Sequence, residues 1–485
     1  MTRRISYQPA VITFGACASI CIVLAGGRVG PVAGARPLSR WFGLMAPRSI
    51  DPIGHPLPGL ALVLAIGALL ASWLLLLRRA SSWTVPQLRA TFAAWGAPLF
   101  LGPPLLSSDL TSYVAQGQLL LMGRSPYVDT PLSLPAGSAL AAVDPRWRDV
   151  HSPYGPLASW IEYLAVQIAH GHTLFSALLL RAVAVGSIVI VGYLLWQMAT
   201  PACRPIAVAL TALNPLFMLH LGSAAHLDGL LCVCAVGALA ALRFDRLNLA
   251  LALSFCAGLV KAPGFVLVAV VLVAAWLATP PAERCRRVGL AFGTGVLTTV
   301  GISMLVPNGW GWLAQVSTPA LGLTPAAPAS LLAYVMYPFL VSTGAMPFES
   351  LMSVCRVIAL VAGCALILAL VRTSRRRPVT ETAGLVLLAV SLFGPVLYPW
   401  YLVTGIACLA VTFRGRRGRV LVALSCVGSL MAVQGLSLTA IVVVAVLVVI
   451  GGSVATAFVL CPALRPGHHR HLRRIDEVVH EPHLV

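Results

Sequence analysis

Apolar runs close to the roughly 20 residues that cross a bilayer as an α-helix recur along this chain, separated by short polar breaks. Counted between those breaks, they predict about fourteen spanning helices. The runs start near residues 9, 57, 91, 173, 205, 227, 247, 263, 288, 351, 382, 400, 420 and 438. Those near 247 and 400 hold only about 14 apolar residues, short for a straight crossing, so one of them is expected to be broken or re-entrant against neighbouring protein. Three longer polar segments interrupt the pattern, at 28–55, 107–172 and 307–350. Within the second, 155–172 has the apolar content of a helix. Reading it as a span would invert every later loop, so it is expected to lie along the membrane surface.

Charge orients this array. With the N-terminus cytoplasmic, the inside loops carry Arg78, Arg79 and Arg89; Arg204; Arg243 and Arg246; and Arg284, Arg286 and Arg287. They continue with Arg372 and Arg375 to Arg377, then Arg414, Arg416, Arg417 and Arg419, and end in a basic tail. This is the positive-inside arrangement at almost every alternation. The first outer loop, with Arg28, Arg36, Arg40 and Arg48, is the exception, whereas 307–350 has no basic residue. Met1 to Arg4 followed by an apolar run resembles a secretory leader, but no small-residue cleavage site follows, so a retained first helix is expected.

Composition agrees. Of 485 residues 59% are hydrophobic and 10% charged, and the mean hydropathy is +0.91, which makes lipid the solvent. The expected organisation is one polytopic all-α membrane unit over 1–464 and a basic cytoplasmic tail over 465–485. The net charge of +19 falls in short clusters between spans, which points to cytoplasmic loops rather than a nucleic-acid surface. The tail, with Arg465, His468 to His471, Arg473 and Arg474, is suited to anionic lipid. None of the twelve cysteines lies in the three outer segments, so no disulfide framework is legible.

None of the fourteen acidic residues falls in the middle of a predicted span, which speaks against a proton-coupled carrier. Asp109 follows the third span directly, at the level of lipid headgroups. It is either a helix-capping aspartate or a group facing a lipid-linked substrate. Tyr113, Gln116, Tyr127 and Tyr154 follow among Gly- and Pro-rich turns, which present aromatic faces suited to a sugar ring or pack a surface loop. His226 and Asp228, at another outer turn, suit sugar hydroxyls, a divalent cation or an ordinary capped turn; two ligands make a weak metal signal. Arg181, Lys261 and Arg356 sit just inside spans near their outer ends. They either snorkel to headgroups or clamp the phosphate of a lipid donor. Trp400 and Tyr401 close another outer helix end, where such residues are commonly belt anchors.

Taken in order, Ser107-x-Asp109-x-x-Ser112-Tyr113, Gln116-Gly117, Gly123-x-x-Pro126-Tyr127 and Pro153-Tyr154-Gly155-Pro156 resemble the actinobacterial polyprenyl-phosphomannose-dependent α-1,6-mannosyltransferases. The resemblance extends through Asn214-Pro215-Leu216, His220, the His226 turn, Val260-Lys261-Ala262 and Pro399-Trp400-Tyr401, roughly 90 to 410. It departs at His226-Leu227-Asp228, where the family commonly has His-Asn-Glu. The resemblance implies a GT-C fold at the plasma membrane, with a large extracytoplasmic first catalytic loop over 107–172. It implies transfer of mannose from polyprenyl-phosphate-mannose to a lipid-anchored mannan acceptor of lipomannan or lipoarabinomannan, with inversion to an α-1,6 linkage. Asp109 takes the position of the family's first-loop acid and would act as base. Arg181, Lys261 and Arg356 would stabilise the departing phosphate, while the tyrosines hold the sugar. No cofactor is expected with certainty, and oligomeric state is not legible. The competing class is a transporter or flippase of lipid-linked sugars, for which internal repeats and midplane polar residues are expected.

Overall fold

The computed structural model describes residues 7–29, 56–318, 327–341, 346–412 and 415–431. The span expected near 438, the tail 465–485 and most of 28–55 lie outside the described residues. Within them the chain is all-helical. Three N-terminal helices come first, α1 (Gln8–Val29), α2 (Pro56–Arg78) and α3 (Val85–Leu101). The expected first outer segment then folds as α4 (Asp109–Leu121), α5 (Ser138–Ala142) and α6 (Pro156–Ile168), before α7 (Thr173–Met198). Next come the short α8 (Arg204–Ala209) and α9 (Pro215–Phe217), a π-turn over Met218–Ser223, and α10 (Asp228–Arg243), α11 (Leu247–Val260), α12 (Val266–Ala278) and α13 (Pro281–Ser303). The last are α14 (Pro328–Val341), α15 (Phe348–Arg372), α16 (Val379–Phe393), α17 (Leu402–Leu409) and α18 (Gly415–Met431).

Four described helices, α1, α2, α7 and α15, are long and apolar enough to cross a membrane, and six further apolar helices are shorter. On α15 Val357, Leu360 and Val361 are each at least 60% exposed, an apolar face that water would not tolerate at this extent. The run expected as one span near 205 is broken. Proline supplies no N–H at 205 and 215, and Asn214 caps the new start by accepting from Leu216 N–H at 3.0 Å while donating to Ser425 Oγ at 2.8 Å. Of the two runs expected to be short, α11 is a 14-residue helix, and 399–412 is a short α17 flanked by 3-10 turns. A second difference is α14, a 14-residue apolar helix with Pro338 inside it, within the segment expected to be a polar outer loop. The apolar run there is shorter than the roughly 20 residues of a straight crossing and so did not stand out from the segment around it.

Helix α6 forms where a surface helix was expected. It packs on α4, α7, α11 and α13 and buries Glu162 completely, with neither carboxyl oxygen hydrogen-bonded. Burial pushes that carboxyl well above its ordinary range. Gly117 permits this packing, since a Cβ there would strike the Glu162 carbonyl and the Val166 side chain.

Candidate active site

The recess is built at one end of the bundle, where α4, α10 and α17 begin and α11 stops. Helix α4 starts at Asp109 because Ser107 Oγ accepts the Asp109 N–H at 3.2 Å and Ser108 ties the turn to Asp144 through its Oγ at 2.9 Å. Asp144 is fully buried and also accepts from the Arg146 backbone N–H, Nε and Nη2, at 3.0, 3.2 and 2.7 Å. Burial alone would raise its pKa, but the hydrogen bonds from Arg146 and Ser108 outweigh it and hold the carboxyl below its usual value. Asp144 thereby anchors Arg146, whose side chain is 58% exposed, at the rim.

Asp109, Tyr113, Gln116, Tyr154, Lys261, Trp400 and Tyr401 all line this recess, which offers about 120 Å³ to the centres of water molecules. Seven of the expected site residues, contributed by four separate stretches of chain, therefore meet. Gln116 also accepts from Ser152 Oγ at 2.9 Å, fixing the turn that carries Tyr154. The Tyr113 and Tyr154 hydroxyls are 2.8 Å apart, with the rings edge to face. Lys261 Nζ donates to both Asp228 oxygens, at 3.0 and 3.2 Å, and lies 4.0 Å from the centre of the Tyr401 ring, a cation–π distance.

His226 and Asp228 form the layer beneath. His226 is fully buried and stacks on Trp400 with ring centres 3.6 Å apart; Trp400 stacks in turn on Tyr398 at 4.7 Å. His226 Nδ1 is 3.3 Å from Tyr113 Oη and 3.5 Å from Asp109 Oδ2. The Asp109 side chain remains 22% exposed. Its pKa is pushed up to about 6, first by burial, with Asp228 and Asp144 adding to the rise and Lys261 and the Ser107 hydrogen bond opposing it.

Three expected members are elsewhere. Tyr127 is buried beside Val306 and Trp312 and hydrogen-bonds Ser159 at 3.0 Å. Arg181 donates to the Phe100, Gly102 and Ser223 carbonyls. Two of these belong to the end of α3, where carbonyls lack helical partners and Pro103 and Pro104 prevent continuation. Arg356 lies on α15 and does not line the recess. The three-cation phosphate clamp is thus not assembled: Lys261 faces the recess and the two arginines do not.

Sequence reasoning missed Arg146, which does line it. Its signal was Asp144-Pro145-Arg146, a capped turn that places a cation beside a buried acid. Among the described residues no three His, Cys, Asp or Glu side chains are grouped to hold a metal ion.

The fold and the recess define the class as an all-helical membrane protein with a carboxylate, a buried lysine and stacked aromatic rings converging at one end of its helices. Comparison with known sequences gives the family. Residues 12–278 match the family described as alpha-(1->6)-mannopyranosyltransferase, N-terminal domain, and residues 329–462 match the MptB C-terminal domain; the chain belongs to this family. It is 30% identical to alpha-(1->6)-mannopyranosyltransferase A of Mycobacterium tuberculosis over 75% of this chain and 73% of that protein. It is 27% identical to the A protein of Corynebacterium glutamicum over 67% and 71% of the two chains. With the B protein of that organism it shares 30% identity over 52% of this chain, an alignment spanning about half, 48%, of that relative. No solved structure matches the chain significantly.

Proposed function

We propose that this protein is an inverting mannosyltransferase that takes mannose from a polyprenyl-phosphate donor and adds it in α-1,6 linkage to a mannan acceptor carried by a lipid. The observation that carries the reading is the position of Asp109, a partly exposed carboxylate facing the same recess as Lys261 and Arg146. The family match supports the sugar and the linkage. The positive-inside pattern supports a recess on the extracytoplasmic face of the plasma membrane, with the described N-terminal helix entering from the cytoplasm.

In the proposed reaction the acceptor hydroxyl attacks the anomeric carbon from the side opposite the phosphate. The carbon–oxygen bond to phosphate breaks as the new glycosidic bond forms, so a β-linked donor gives an α product. Asp109 accepts the hydroxyl proton. A carboxylate with a pKa near 6 is ionised at neutral pH yet more basic than an exposed aspartate, as general-base catalysis requires. Lys261 and Arg146 offset charge collecting on the leaving lipid phosphate, and Tyr154 and Tyr398, the latter backed by Trp400, provide faces for the sugar. The buried Asp228 holds Lys261 in place.

The test is incubation of membranes containing the protein with radiolabelled polyprenyl-phosphomannose and a short α-mannoside. Label in a longer oligosaccharide that α-1,6-mannosidase releases supports the reading. Absence of label with every mannoside acceptor, in membranes where the protein is inserted, would overturn it.

A further inference from the structure

A second cavity lies at the other end of the same helices. It is lined by the last turns of α7, α10 and α12, the first turn of α16 and residues after α17, and offers about 500 Å³ to the centres of water molecules. The 16 residues of α10 separate it from the catalytic recess by about 24 Å, a distance comparable with a hydrocarbon core about 30 Å thick.

Its chemistry is divided. The floor is apolar and buried, with Leu239, Leu247 and Ala275, while the rim carries Arg243, Arg287 and the exposed Ala278. Arg287 is engaged with Asp245, Nη2 lying 3.3 Å from Oδ1. Arg243 is exposed and enters no ion pair with a described residue. The lining thus holds two cations and one anion, one positive charge in excess. Water alone suits the rim but not the floor, and an acyl chain alone leaves a guanidinium facing hydrocarbon. An anionic amphiphile satisfies both, since guanidinium forms short charge-assisted bonds to phosphate oxygens and an apolar chain fills the space below.

We infer that this cavity is a binding site for an anionic phospholipid of the leaflet opposite the catalytic recess, its phosphate on Arg243 and the upper part of one acyl chain against Leu239, Leu247 and Ala275. The site is separate from the donor site. Bound lipid packs α10, α12 and α16 together at the end remote from catalysis.

The full chain, purified in a neutral detergent, is titrated with dioleoylphosphatidylglycerol, dioleoylphosphatidylcholine or inorganic phosphate. Bound lipid is counted by native mass spectrometry and the unfolding midpoint is followed. The expected result is saturable phosphatidylglycerol binding with a raised midpoint, and little effect of the other two. Arg243→Gln is expected to weaken that binding at least about tenfold, the loss of one charged hydrogen bond. Ala278→Phe, which keeps the charge and obstructs the mouth of the cavity, is expected to weaken it similarly. Asp109→Asn is expected to leave it unchanged, which separates this site from the proposed catalytic one. Equal binding of the two lipids, an equal effect of inorganic phosphate, or unaltered phosphatidylglycerol binding by both Arg243→Gln and Ala278→Phe would overturn the inference.

Discussion

His226 Nδ1 lies 3.5 Å from Asp109 Oδ2, and the same nitrogen lies 3.3 Å from the Tyr113 hydroxyl. The imidazole is fully buried and held flat against Trp400, so it cannot rotate away from the carboxylate without breaking the stack. A residue from the turn before α10 thereby restrains an acid on α4. A proposed base gains from such restraint, because effective proton transfer needs the acceptor oxygen held within hydrogen-bond reach of the incoming hydroxyl.

Replacing Asp109 by Asn keeps the shape and removes the basicity. Transfer from labelled polyprenyl-phosphomannose should fall by roughly 10²–10⁴-fold, the usual worth of general-base assistance, while membrane insertion and expression stay unchanged. In the native protein the group must be ionised to act, so kcat/KM should fall as pH drops through about 6. A variant that retains near-native transfer would remove Asp109 from the role of base.

Charges around Asp109 set where that acidic limb falls. Lys261 favours the carboxylate and Asp228 disfavours it. Lys261→Met should therefore raise the Asp109 pKa and move the limb to higher pH, in addition to raising KM for the donor. Asp228→Asn removes a negative neighbour and leaves Lys261 uncompensated; both changes lower the pKa, so the limb should move to lower pH. Profiles of kcat/KM between pH 4.5 and 8, each normalised to its own plateau, test these opposite shifts.

Part of the recess was legible in the sequence because several of its residues sit at helix ends, where a break in apolar patterning and a polar residue coincide. Asp109, Lys261 and Trp400 are of this kind, and the family resemblance supplied their company. Arg181 was not legible. A charge in an apolar run looks alike whether it meets a ligand or unpaired carbonyls, and those carbonyls exist because Pro103 and Pro104 end α3, a tertiary consequence. Arg146 escaped because its orientation depends on Asp144, buried by contact with Ser108. Likewise the break of the fifth predicted span at Asn214 rests on Ser425, far along the chain.

The position of Arg181 distinguishes two roles by experiment. Arg181→Met leaves the Phe100, Gly102 and Ser223 carbonyls without this donor, and each buried polar group left unpaired costs about 1–3 kcal/mol. The expected outcome is a lower unfolding midpoint in detergent, with KM for the donor nearly unchanged in the fraction that remains folded. A variant of native stability whose donor KM rises strongly would instead return Arg181 to the phosphate.

Gly155 connects packing to chemistry most directly. Its N–H donates to the Val260 carbonyl at 3.0 Å, and a Cβ at this position would run into the Leu259 carbonyl. Backbone therefore lies on backbone, with no flexible side chain available to move aside. The contact falls between Tyr154 and Lys261, so it sets how closely the tyrosine-bearing turn approaches the buried cation, now 5.1 Å from the Tyr154 ring centre. Gly155→Ala must push the turn away from α11. The overpacking should cost about 1–3 kcal/mol of stability, and the displaced Tyr154 should loosen its hydrogen bond to Tyr113. Because Asp109 stands at the start of α4 and Lys261 is held by Asp228 of α10, the acidic limb should stay near its native position while KM for the donor rises. Stability, KM and the pH profile measured on one preparation test this separation; an acidic limb that moves along with KM would show instead that the turn also positions the carboxylate.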